Sequence, residues 1–481
     1  MKRTALHMRL LAAILLLALC LSACGGETPP AETSMSATDV LATTGSETTP
    51  LSQTGSAALS ETSDPAGQTE PVLPDKEPEY GLDSESGKIA SVSIGTPEEW
   101  NRFARDFNGG RDRFAASLDV FIETQLSFAD MVFVALQGGF AGRIYGPERG
   151  EKNVFEESTD GLYGKHNLIL DMATGVSGRY WRDYPPSAGF SDIHAVEEGY
   201  SLFGGDNGDV TIENLNFCEI GYTVKDAGDF TGDYPLGMLC TKADFLTLDE
   251  VIFLRCDFRP YYKSAGDIYH MPLPLLAGEA EGMRLYRVIA ANCSALSDYD
   301  GNGLLFHTVA GDASFSELYL MGCSVTGVSG DYGLLSLLGY LVGGKADYED
   351  ITMFDCRTYG RCPSAFGRAD SVGTLRNITV ENCNFTTPQG SLAFSGSSSL
   401  LFFMNGKLQD YPDEVWYDLE GKTLEGVAPE NVVFANCVTT LIGKDFDWYR
   451  NRGITIENCL NVTTGPAKRA YQQWMYGEVY D

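Results

Sequence analysis

From about residue 200 onward one pattern of apolar and polar positions recurs. Two apolar residues alternate with other residues, a polar or small residue follows, and then a Cys. The copies are VIFLRCDF at Cys256, VIAANCSA at Cys293, LYLMGCSV at Cys323, ITMFDCRT at Cys356, ITVENCNF at Cys383, VVFANCVT at Cys437 and ITIENCLN at Cys459. VTIENLNF is read as a further copy, with Leu215 in the Cys slot. Steps between the Cys are 37, 30, 33, 27, 54 and 22 residues. Period-two alternation predicts a strand with one face inward. Asn or Asp stands before the Cys in most copies, Arg255 and Gly322 being the exceptions. These residues tolerate the left-handed conformation, so the chain is expected to bend there, with the small apolar Cys pointing into the core.

A second apolar cluster beside a small residue precedes each copy: LFGG at Leu202, GMLC at Gly237, LLAG at Leu275, GLLF at Gly303, GLLS at Gly333 and AFGR at Ala365. Each repeat therefore holds at least two short strands. A unit of about 30 residues cannot bury its inner face alone, but stacked coils can, with parallel strands about 4.8 Å apart. The expected fold class is all-β, a right-handed parallel β-helix over residues 201–465, with a tail or cap at 466–481.

Residues 88–200 are expected to hold an N-terminal cap and the first coils. In IGTPEEWNRFARDFNGG, Thr96 suits an N-cap, Pro97 the first helical position, and Glu99 a capping box. Trp100, Phe103, Ala104 and Phe107 then fall on one helical face. Such a helix can cover the open end of a stack of strands, where exposed edges invite aggregation.

Three features carry a family resemblance: LFG ahead of TIENL, the repeated GLL, and the C-x-V-x-G of CSVTG. Together, over roughly residues 90–465, they resemble bacterial surface proteins with GLUG-type repeats, built as pectate-lyase-like β-helices. The resemblance implies surface adhesion or a glycan-related role. The chain departs from the pattern at RIYG, from Arg143, and in an insertion that starts at Asn405.

Residues 1–23 read as a signal peptide: Lys2, Arg3 and Arg9, an apolar run too short to span a membrane, then LSAC. The last four residues resemble the lipobox of bacterial lipoproteins, which implies lipid attachment at Cys24 and a membrane partner through that anchor. Residues 24–87 are rich in Thr, Ser, Pro and Glu and are expected to be a disordered tether reaching about 45 Å. The localisation implied is the bacterial cell envelope, lipid-anchored and facing outward.

The chain carries 34 basic and 66 acidic side chains. That balance excludes nucleic acid as a partner, which needs a basic face. No Walker A or dinucleotide fingerprint occurs, so nucleotides are excluded too. No GxSxG, HExxH or CxxC occurs, and the Cys column has no associated His, so free buried thiols are expected rather than disulfides or a metal site.

Three places could carry chemistry. RPYYKSAGDIYH offers Arg259, Tyr262, Lys263 and His270, base types that uronate lyases of this fold use; chance composition in a polar loop is the competing reading. Asp298, Asp300 and Asn302 sit where a calcium loop has ligands one, three and five, but Val309 replaces the required Glu. Calcium is thus the one cofactor left open, and a Gly-rich turn is the plainer reading. Tyr180 and Trp181, with Tyr411, Trp416 and Tyr417 of the insertion, are rings on which sugars could stack. The insertion, Asn405 to Gly426, is expected to be removable without unfolding the coil.

These observations favour a non-enzymatic surface module that binds glycan or a cell-surface protein. The alternatives are a polysaccharide lyase or hydrolase acting on acidic glycans, and a purely structural surface protein.

Overall fold

The residue before each Cys is left-handed throughout: φ is 53° at Arg255, 52° at Asn292, 60° at Gly322, 52° at Asp355, 55° at Asn382 and Asn436, and 49° at Asn458. The structure, a computed structural model, describes residues 77–148, 188–197, 199–224, 235–260, 273–297, 301–327, 334–360, 363–386, 399–402, 419–441 and 445–462. Its fold is all-β, and successive repeats pair in parallel. In the largest sheet Cys240–Leu254 lies beside Ala277–Ala291, Ala313–Met321 beside Gly339–Phe354, and the series runs on through Arg368–Glu381, Glu430–Ala435 and Ile454–Glu457. The segments after the Cys build a second, eight-stranded parallel sheet. Each repeat thus adds a strand to both sheets.

A second bend lies five residues upstream of the first. Glu250, Arg287, Glu317, Asp350, Asn377 and Asn431 have φ between 50° and 54°, and Gly453 takes the same place at 83°. This bend corrects the reading of VTIENLNF. Asn216 pairs with Ile252 and Gly221 with Asp257, so Leu215 matches Val251, and Ile220 occupies the Cys slot. Both bends consist of an apolar–polar alternation, a left-handed residue and an inward apolar residue. Local pattern alone therefore cannot tell them apart.

The Cys of the seven copies form an inward column. Cys256 to Cys437 are at most 1% exposed, and Cys459 at the end is partly exposed. Each thiol has a carbonyl acceptor two residues back, such as Leu254 at 3.7 Å for Cys256 and Glu381 at 3.3 Å for Cys383. A thiol here fills the corner and satisfies a carbonyl at the bend. All described cysteines are free. Burial raises the Cys293 and Cys356 thiols well above the ordinary range and pushes Cys240 up to about 12.

At the start, Pro97–Gly109 is the expected helix. Thr96 accepts from the Glu99 amide at 3.2 Å, while Glu99 accepts from Thr96 at 3.0 Å. Trp100 is fully buried, stacks on Phe133 at 5.4 Å and donates to the Val134 carbonyl at 3.1 Å. The tether boundary moves. Glu79–Leu82, assigned to the tether by composition, is a strand antiparallel to Ile89–Ile94, and the Tyr80 hydroxyl reaches Asp106 at 2.9 Å.

Near the other end, the insertion is not wholly dispensable. Its helix Leu419–Thr423 buries Glu420, which accepts from the amides of Leu401 and Phe402 at 3.2 Å and from the Tyr449 hydroxyl at 2.9 Å. Thr423 donates to the Ala369 carbonyl at 3.0 Å. Deleting Asn405 to Gly426 would strip these buried partners, which contradicts the expectation that the coil would be left intact.

Candidate functional site

Between the two bends each repeat has two inward and two outward positions. In Gly339–Phe354, Ile351 and Met353 enter the core, and Thr352 and Phe354 face out. Strand register stacks the outward positions into columns. Thr352 lies beside Thr379, then Val433 and Thr455; Phe354 lies beside Glu381, then Ala435 and Glu457. The residues at the bends flank these columns. On one side Asn377 donates to Asp350 at 2.9 Å and Asn431 donates to Asn377 at 3.1 Å, so side-chain hydrogen bonds climb the corner. On the other side stand Asn436 and Asn458.

Together these residues enclose an open trough of about 560 Å³ that begins at Tyr319. Its polar residues are acids (Asp350, Glu381, Glu457), amides (Asn377, Asn431, Asn436, Asn458) and the hydroxyl-bearing Tyr319, Thr352 and Thr379. Among the described residues no Lys, Arg or His lines it. Such a wall accepts hydrogen bonds through its carboxylates, donates them through its amides, and repels anions. Parallel strands hold these groups on a regular lattice of about 4.8 Å, so the site is rigid before any ligand arrives.

Two arginines at or beside the second bend are committed elsewhere. Arg376 pairs with Glu349, and Arg287 with Glu250 beside the Tyr286 ring. Among the described residues no group of three or more His, Cys, Asp and Glu could hold a metal. No described helix is long and apolar enough to cross a membrane.

Most residues singled out from sequence lie outside the described ones: Cys24, Tyr262, Lys263, His270, Tyr180, Trp181, Tyr411, Trp416, Tyr417, Asp298 and Asp300. Arg259 is described by its backbone, paired with Thr223 in Asp257–Pro260. Asn302 lies in the strand Gly301–Gly303, fully buried, and neither end of its amide has a hydrogen-bond partner among the described residues.

Sequence reasoning missed the trough. Its one visible signal was the first Asn of RNITVENC and ENVVFANC, at Asn377 and Asn431. Compared with family models, curated proteins and solved structures, the chain matches none.

Proposed function

We propose that this chain is a lipid-anchored envelope protein whose body is a right-handed parallel β-helix, and that its outer trough binds a neutral, hydroxyl-rich glycan without turning it over. The observation that carries the reading is the lining: carboxylates, amides and hydroxyls in register, with no basic side chain among the described residues that form it. Sugar hydroxyls both donate and accept, which suits acids beside amides. A polyuronate would bring its own negative charge against Asp350, Glu381 and Glu457, so the lining favours neutral over acidic glycans. Sequential parallel pairing with two bends per repeat supports the β-helix, and LSAC supports the anchor at Cys24.

Hydrolysis is the second reading. Glu381 and Glu457 share a column two strands apart, about 10 Å by strand spacing. That is close to the upper end of the separation used by inverting glycosidases, about 6.5–9.5 Å.

The test is a glycan array probed with detergent-solubilised full-length protein, followed by a reducing-end assay on every glycan bound. Neutral glycans should be retained over uronates, with no product released. Preference for polyuronates would overturn the neutral-glycan reading, and release of reducing ends would replace binding with hydrolysis. In the same expression host, Cys24→Ser should move the protein out of the membrane fraction; retention there would refute the anchor.

A further inference from the structure

The cysteine column is sealed along its length and partly open at Cys459. Cys256, Cys293, Cys323, Cys356, Cys383 and Cys437 are each at most 1% exposed, whereas Cys459 is partly exposed. Val438 pairs with Leu460, so Cys437 and Cys459, each one residue ahead of its strand, sit side by side in neighbouring repeats. Strand spacing separates their Cα atoms by about 4.8 Å, within the roughly 4.4–6.8 Å that a disulfide spans. The Cys437 amide donates to the Cys459 sulfur at 3.4 Å. The Cys459 thiol has the Phe434 and Glu457 carbonyls as acceptors, each at 3.4 Å.

We propose that Cys459 and Cys437 form a redox-active dithiol at the partly open end of the column, in which Cys459 reacts with hydroperoxides and Cys437 resolves the product as a disulfide between adjacent strands. Access selects the pair, because the buried neighbours have the same spacing but no route for an oxidant. Access also assigns the roles: Cys459 is partly exposed and meets the oxidant first, while Cys437 lies buried behind it and resolves the product. The Cys437 amide donates to the Cys459 sulfur and so stabilises its thiolate.

The chemistry balances with a hydroperoxide as the oxidant. The Cys459 thiolate attacks the terminal peroxide oxygen and the O–O bond breaks. The departing alkoxide or hydroxide takes a proton from water, and Cys459 becomes a sulfenic acid. The Cys437 sulfur, giving up its proton, then attacks the Cys459 sulfur. The S–S bond forms, the S–O bond breaks, and water leaves. Two thiols lose two electrons in all, and the peroxide is reduced to an alcohol or water.

Trypsin places Cys437 in the peptide 423–444 and Cys459 in 453–468, so the pair can be read directly by mass spectrometry. Reduced, native, full-length protein given about one equivalent of hydrogen peroxide should yield these two peptides cross-linked. Cys256 through Cys383 should remain as thiols. Cys459→Ser, or capping of Cys459 with maleimide beforehand, should abolish the cross-link. In Cys437→Ser, dimedone should trap Cys459 at least tenfold more than in the parent. The proposal is overturned if both peptides stay unmodified at ten equivalents. It is equally overturned if Cys437 links to Cys383, or if Cys459 links only between chains. Should Cys437→Ser fail to fold, the capped parent protein decides: a cross-link that survives capping contradicts the assigned nucleophile.

Discussion

In Cys240–Leu254, Ala277–Ala291 and Ala313–Met321 the outward positions between the bends are Ile252 and Leu254, Ile289 and Ala291, and Tyr319 and Met321, none more than 4% exposed. They form an apolar cluster of their own, separate from the main core, with Cys218 and Phe354 packed against it. Two repeats beyond Ala313–Met321 the same positions are Thr379 and Glu381, then Val433 and Ala435, and finally Thr455 and Glu457, with exposure rising until the last pair is open. Inward positions do not change character along the way: Val251, Val288, Leu318, Ile351, Ile378 and Val432 are all fully buried. Inner face and bends therefore specify the repeat, and the outer face is free to differ. One end of that face is used for packing, and the other presents a polar trough.

The largest expected effect sets these two ends against each other. Ile289→Asp buries an unpaired carboxylate on the apolar end and should cost about 4 kcal/mol or prevent folding. Thr379→Asp, three repeats further along the same column, should change stability by less than about 0.5 kcal/mol. Thermal melts of the two variants would collapse the distinction if they shifted equally.

A smaller effect separates the bends. A left-handed non-glycine residue costs roughly 1 kcal/mol, less for Asn. Arg255→Gly should therefore stabilise by about 1 kcal/mol, net of the Arg255–Glu219 ion pair, whose side chains are 55% and 45% exposed and contribute little. Asn382→Ala should destabilise by about the same amount. If both changes destabilise, the Arg255 side chain does more at its bend than tolerate it.

Much of this fold was legible in the sequence because its determinants are local. Thr96, Pro97 and Glu99 state the helix start within four residues. The Cys slots repeat at the inward corner, where an apolar side chain is needed. The second bend was not legible, since Glu250, Arg287 and Glu317 are unusual left-handed residues and nothing local marks them. That is why Leu215 was placed where Ile220 belongs. The trough was hidden for a different reason. Outward residues obey no core constraint, so Thr379, Glu381 and Glu457 look like ordinary surface, and only strand register brings them together. Composition also misplaced Glu79–Leu82: its polar residues matched the tether, and only its pairing with Ile89–Ile94 marks it as folded. The buried Glu420 could not be foreseen either, because its partners at Leu401, Phe402 and Tyr449 are distant in sequence.

The most direct test of the division between packing face and binding face is a titration of Thr379→Arg and the parent protein with the neutral glycan best retained on the array, melts being recorded on the same samples. The Arg side chain would fill the trough and pair with its carboxylates while leaving the inner face untouched. Expected is an unchanged melting temperature with binding weakened at least tenfold, about 1.4 kcal/mol. Undiminished binding in a folded Thr379→Arg protein would contradict the trough as the site.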